Sequence, residues 1–190
     1  MHADSWALKA KKLGFRSRAV FKLEEILTKT KILQKNSLVL DIGSAPGGWS
    51  ELIKAMTPSS HVYAIDLLPM DPIKDVIFFQ EDILNIDGID EIFLLKSKFD
   101  LVISDLAPNL SGISAVDEEN IFELNIITLR TALSYLNKSN GSLVIKTFQN
   151  SSLKKFRIEM EKSFHLVQTY KPAASKSKSA EIYLYGEKPL

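Results

Sequence analysis

Val39-Leu-Asp-Ile-Gly-Ser-Ala-Pro-Gly-Gly-Trp49 decides the fold of this chain. Leu38, Val39 and Leu40 are a short apolar run of the kind that forms a buried parallel strand. The run ends at Asp41 and passes through Gly43 to the Gly47-Gly48 pair. Trp49, Leu52, Ile53 and Met56 then recur near helical spacing. Strand, glycine turn and helix together hold a nucleotide-like cofactor over a strand end. The spacing is not G-x-G-x-x-G, and no Lys-Ser or Lys-Thr follows the glycines as a phosphate-binding loop requires.

Taken alone, the segment could be an ordinary strand-to-helix turn with incidental glycines. Its neighbours argue for a site. His61 to Ile65 is a second apolar run and ends at Asp66, about 20 residues past the turn, where a carboxylate reaches ribose hydroxyls in dinucleotide-binding folds. Val76 to Phe79 ends in Gln80-Glu81-Asp82, and Phe99 to Ser104 ends at Asp105. Acidic residues thus collect at the strand ends where open α/β sheets bind ligands. An acid before the turn suits a cofactor with an ammonium group better than one with a pyrophosphate, and S-adenosylmethionine is such a cofactor.

A length of 190 residues suits one domain, 1–190, with a basic helical segment at about 1–30. Hydrophobic content of 45% against 25% charged residues argues against a disordered or fibrous chain. The chain has no cysteine, which excludes disulfides and cysteine-rich zinc sites and fits a cytoplasmic location. The apolar runs are strand-length, and the N-terminus lacks the apolar core of a secretory signal, so no membrane partner is expected. The net charge of +1 hides an uneven distribution. Lys9, Lys11, Lys12, Arg16, Arg18 and Lys22 stand near one end, and Lys171, Lys176 and Lys178 near the other. Converging on one face, they would form a nucleic-acid footprint; apart, they are solvated surface.

Periodicity predicts helices at 5–13 and 17–29, with Val20, Leu23, Ile26 and Leu27 on the apolar face of the second and Lys22 off it. Strand 38–42, helix 47–56, strands 61–66 and 76–80, helix 88–96 and strand 99–104 follow. A helix at about 118–136, strand 142–148, helix 151–162 and strands 164–170 and 181–185 complete the chain. The last two strands have no room for a helix between them and are expected to pair as an antiparallel hairpin. The expected fold is α/β: a mixed, mostly parallel seven-stranded sheet with helices on both faces, the Rossmann-like layout of class I methyltransferases.

Lys146 follows Leu143-Val144-Ile145, and a buried unpaired ammonium there would be very costly. It must reach the sheet edge or find a partner. Asp105 ends the fourth strand and Glu181 opens the last. Here the chain resembles the FtsJ/RrmJ family of ribosomal RNA methyltransferases, which act on a ribose 2′-hydroxyl. The matching segments are 12–22 (Lys-Leu-Gly-Phe-Arg-Ser-Arg-Ala-Val-Phe-Lys), 41–49, 66–72 (Asp-Leu-Leu-Pro-Met-Asp-Pro), 104–112, 144–149 (Val-Ile-Lys-Thr-Phe-Gln) and 171–181. The resemblance implies a catalytic tetrad at Lys22, Asp105, Lys146 and Glu181, with no metal. It implies S-adenosylmethionine contacts at Gly47, Trp49, Asp66, Asp82 and Asp105, to which the glycine turn adds Gly43 and Gly48. It also implies a uridine in the A-loop of 23S rRNA as target, late in assembly of the 50S particle, by a monomer that needs no DNA.

Arg16, Arg18, Lys176 and Lys178 are the expected RNA contacts, and neutralising either pair should leave cofactor affinity alone. The segment before the first helix is shorter than usual in the family, and Lys176 stands where arginine is common. Lysine keeps the charge but loses bidentate phosphate geometry. Without a cysteine, covalent cytosine-C5 methylation is excluded, and Asp-Leu-Ala-Pro-Asn stands where amino-methylating enzymes carry Asn-Pro-Pro-Tyr. Oxygen is therefore the expected acceptor, and Lys146 would either take its proton or aim its lone pair. Methylation of tRNA or another RNA, a non-catalytic ribosome-assembly factor and a nicotinamide-dependent oxidoreductase are the competing readings.

Overall fold

Successive side chains of a strand point to opposite faces, and here each face carries its own helical layer. In the computed structural model, which describes residues 5–109, 111–175 and 179–190, β1 (Leu38–Ile42) sends Val39 to one layer and Leu40 and Ile42 to the other. The first layer holds α1 (Ser5–Lys12), α2 (Val20–Thr30) and α3 (Gly48–Met56). The second holds a 3-10 turn (Ile83–Gly88), α4 (Asp90–Phe93), α5 (Ser114–Tyr135) and α6 (Leu153–Glu161).

The remaining strands are β2 (His61–Asp66), β3 (Val76–Gln80), β4 (Leu101–Ser104), β5 (Ser142–Phe148), β6 (Phe164–Tyr170) and β7 (Glu181–Pro189). Their order is β3-β2-β1-β4-β5-β7-β6. β1 to β5 run parallel to one another, and only β7 runs against the sheet, hydrogen-bonded on both sides. The last two strands do pair antiparallel, but β7 enters between β5 and β6 and continues past residue 185 to Pro189. That insertion sets Tyr183 opposite Lys146 and Glu181 opposite Phe148.

Other boundaries moved for local reasons. The single helix expected at 88–96 is a 3-10 turn followed by the short α4, because Asp82 accepts from Leu84 N at 2.9 Å and starts the turn early. β4 begins at Leu101, since Phe99 bridges to Leu136 instead. α5 begins at Ser114, where Asp117 in its first turn accepts from Ser111 N at 2.7 Å and Gly112 N at 3.0 Å. Among the described residues no helix is long and apolar enough to cross a membrane.

Candidate active site

The chain leaves β1 toward β2 on one side and returns as β4 on the other, so a crevice opens beyond their C-terminal ends. A cavity of about 520 Å³ lies there. Gly43 and Ala45 line it from the turn after β1, and Asp66, Leu67 and Leu68 from the end of β2. Asp82 and Leu84 line it after β3, and Asp105 to Asn109 after β4. Gly43 has φ 78°, and a Cβ there would lie 2.4 Å from Leu106 Cδ2, so both conformation and space require glycine. Asp66 fastens the wall, accepting from Ala45 N and Leu68 N at 2.8 Å each.

A smaller cavity of about 30 Å³ adjoins it, lined by Asp41, Ser44, Gly48, Trp49 and Asp105 among others. Asp41 is 1% exposed, and its Oδ2 accepts from Ser50 Oγ at 2.7 Å. Asp41 Oδ1 and Ser44 Oγ are buried with no partner among the described residues. Burial pushes the Asp41 carboxyl up to about 7; Asp105 and Asp66 add to the rise and the Ser50 bond opposes it. A buried acceptor of this kind is complementary to a cation such as an ammonium group.

The expected cofactor residues therefore divide. Asp66 and Asp82 border the larger cavity, Gly48 and Trp49 the smaller one, and Gly43 and Asp105 both. Trp49 is 3% exposed, donates from Nε1 to Ala19 O at 2.9 Å and packs on Tyr183. Gly47 lies beneath Met70 and Ile73.

Beside Asp105 the four residues of the expected tetrad meet. Lys22 Nζ lies 2.6 Å from Glu181 Oε1, and Lys146 Nζ lies 3.2 Å from Asp105 Oδ1 and also donates to the Asp105 carbonyl. Contrary to the helical reading, Lys22 is buried, 6% exposed, with its ammonium reaching β7 from α2. Burial opposes ionisation of Glu181, but Lys22, backed by Lys146 and Ser175, holds its carboxyl below the ordinary range. Sequence reasoning passed over Tyr183. Its hydroxyl sits 3.0 Å from Asp105 Oδ1 and 3.3 Å from Glu181 Oε1, joining the two ion pairs. Burial, then both carboxylates, push that phenol far above its usual range, so it keeps its proton and donates to them. Its signal was present, since residue 183 shares a strand face with Glu181.

The RNA residues fare differently. The Arg16 guanidinium is spent on backbone carbonyls of the fold, and Arg18 is half-buried and not free. Lys176 and Lys178 lie outside the described residues.

Residues 15–188 match the model of the FtsJ-like methyltransferase family. The chain is 40% identical over 184 residues to the ribosomal RNA large subunit methyltransferase E of Buchnera aphidicola subsp. Cinara cedri, covering 95% of this chain and 88% of that protein. It is 40% identical over 187 residues to the Neisseria gonorrhoeae protein of the same name, covering 97% and 90%. A crystal structure described as a ribosomal RNA methyltransferase of Plasmodium falciparum superposes with a TM-score of 0.83 at 32% identity, covering 93% of this chain and 99% of that one.

Proposed function

Since the chain belongs to the FtsJ-like methyltransferase family, we propose that it transfers a methyl group from S-adenosylmethionine to a ribose 2′-hydroxyl of large-subunit rRNA. The observation that carries this reading is the pair of buried lysines, each held by a carboxylate, joined through Tyr183 beside the crevice. When bound, the cofactor supplies an electrophilic methyl on a sulfonium. Asp41 would hold its ammonium, and Asp66 and Asp82 its ribose and base side. Asp105 occupies two of the positions around Lys146 Nζ, and the third faces the attacking hydroxyl. As a neutral amine with its lone pair at that third position, Lys146 would take the hydroxyl proton while the cofactor supplied the methyl. Lys22 and Glu181 orient the ribose from the far side, and Asp105 fixes the lysine that receives the proton.

By the same resemblance the target is a uridine of the A-loop, modified late in assembly of the 50S particle, by a monomer working in the cytoplasm. A lost tetrad would have argued for an assembly factor without catalysis, and all four residues are in place. Ribose-methylation mapping of rRNA from cells with and without the protein tests the proposal. Loss of one 2′-O-methyl mark in large-subunit rRNA is expected, and an unchanged map overturns it.

A further inference from the structure

Arg16 lies between α1 and α2, in the basic N-terminal segment, yet its guanidinium turns into the fold. Nη1 donates to Pro46 O at 3.1 Å and to Asp71 O at 2.7 Å, and Nη2 donates to Pro72 O at 2.9 Å. Nε stands 4.0 Å from Glu51 Oε1, and the Arg16 backbone N–H donates to Glu51 Oε2 at 3.4 Å. Most of the five donors are thereby occupied. The three carbonyls belong to two loops, the glycine turn after β1 and the loop after β2. These are the loops that Asp66 stitches from the cavity side through Ala45 N and Leu68 N. One guanidinium and one carboxylate therefore fasten the same pair of loops from two directions. Between them Gly47, at φ 104°, leaves room for the closure: a Cβ there would lie 2.7 Å from Ile73 Cδ1, 2.8 Å from Met70 Sδ and 3.2 Å from Arg16 Nη1.

We propose that Arg16 is a positioning residue for the cofactor pocket, latching the loop after β2 onto the glycine turn and so setting affinity for the methyl donor from within the basic segment. The proposal rests on the cofactor reading above for its affinity consequence, and on geometry alone for the latch. A rigid planar fork spans three carbonyls, whereas a lysine ammonium is a point donor on a flexible stem. Charge alone therefore does not suffice, and Arg16→Lys should behave like Arg16→Ala at the pocket.

Two measurements on the full chain test this. In calorimetric titration with S-adenosylmethionine, both variants should bind about tenfold more weakly, roughly 1.4 kcal/mol. In amide hydrogen exchange without cofactor, Ala45, Leu68 and the 69–75 loop should exchange faster in both variants, while β1 amides keep their protection. RNA affinity of Arg16→Lys should retain its salt slope, because the charge is kept. A phosphate ligand predicts the reverse: unchanged cofactor affinity in both variants and unchanged exchange, with RNA binding lost in Arg16→Ala. Either unchanged exchange at those amides or unaltered cofactor affinity overturns the proposal. If the unaltered protein does not bind S-adenosylmethionine, the functional reading fails, and the exchange measurement still decides the latch.

Discussion

Lys146 is 8% exposed, and Asp105 takes two of the positions around its Nζ, one with the side chain and one with the main chain. That leaves it a single direction in which to meet a substrate hydroxyl. General-base assistance is worth roughly 10²–10⁴-fold, so Lys146→Ala should lower the single-turnover methylation rate by about that factor with cofactor affinity retained. Lys146→Arg should not restore it, because arginine stays protonated. Asp41 makes a separate statement about pH. Its carboxyl titrates near 3.8 when unfolded and at about 7 when folded, so between those values the folded chain holds a proton that the unfolded chain has lost. Stability should therefore fall as pH rises through that window, and thermal melts of Asp41→Asn should lack this component. Cofactor affinity should move the other way. A fixed ammonium favours the ionised carboxylate, so binding should strengthen as pH rises through about 7 and level off near the ~8 at which an α-amino group loses its proton. Calorimetry across that range, with Asp41→Asn giving a flattened profile, checks it.

Between elements, the contact that matters most is the one α2 makes with β7. Lys22 and Glu181 side chains are 8% and 15% exposed, so the pair is nearly dry. Removing one partner strands the other charge, and Glu181→Ala should destabilise the fold by about 3–5 kcal/mol in denaturant unfolding. Replacing both, as Lys22→Met with Glu181→Leu, should recover most of that loss without restoring methylation. This separates the pair's structural part from its chemical one. The same contact shows where sequence reading reaches and where it stops. β1, β2, β3, β5 and β6 carry the predicted bounds, because an apolar run punctuated by a carboxylate or glycine is a local signal. Helical periodicity puts Lys22 off the apolar face because it sees only its own helix, and the carboxylate that accommodates it lies on the last strand. The insertion of β7 between β5 and β6 is equally invisible locally, since a hairpin signal fixes antiparallel pairing but not which edge is joined. For Arg16 the sequence signal and the observed contacts differ. Its basic neighbours suggest a phosphate ligand, while the carbonyls it binds are about 30 and 55 residues away along the chain.

At the scale of the molecule, the question posed by two basic segments at opposite ends of the chain has a structural answer at their anchored parts. Glu25 of α2 accepts from Ala173 N at 2.8 Å, and Ser175 donates to Glu181 at 3.2 Å, so the base of the C-terminal loop is tied to the helix that follows the basic N-terminal segment. Lys11 and Lys12 of α1 are exposed on that segment. Phosphate contacts in an RNA duplex or loop release counterions, and each contact removed should flatten the plot of log affinity against log salt by ~0.7–0.9. Replacing Lys11 and Lys12 by alanine should thus weaken RNA binding and reduce its salt slope by about that amount per lysine, with cofactor affinity unchanged. Such a footprint is charged but carries little base readout, so specificity has to come from the shape of the RNA presented to it. A naked transcript samples many shapes, whereas an assembled large subunit holds its loops in one. Methyl incorporation should therefore be efficient with isolated large subunits, weak with naked rRNA and absent with tRNA, measured at matched salt. Efficient modification of tRNA alone would reassign the substrate while leaving the chemistry of Lys146 and its partners as described.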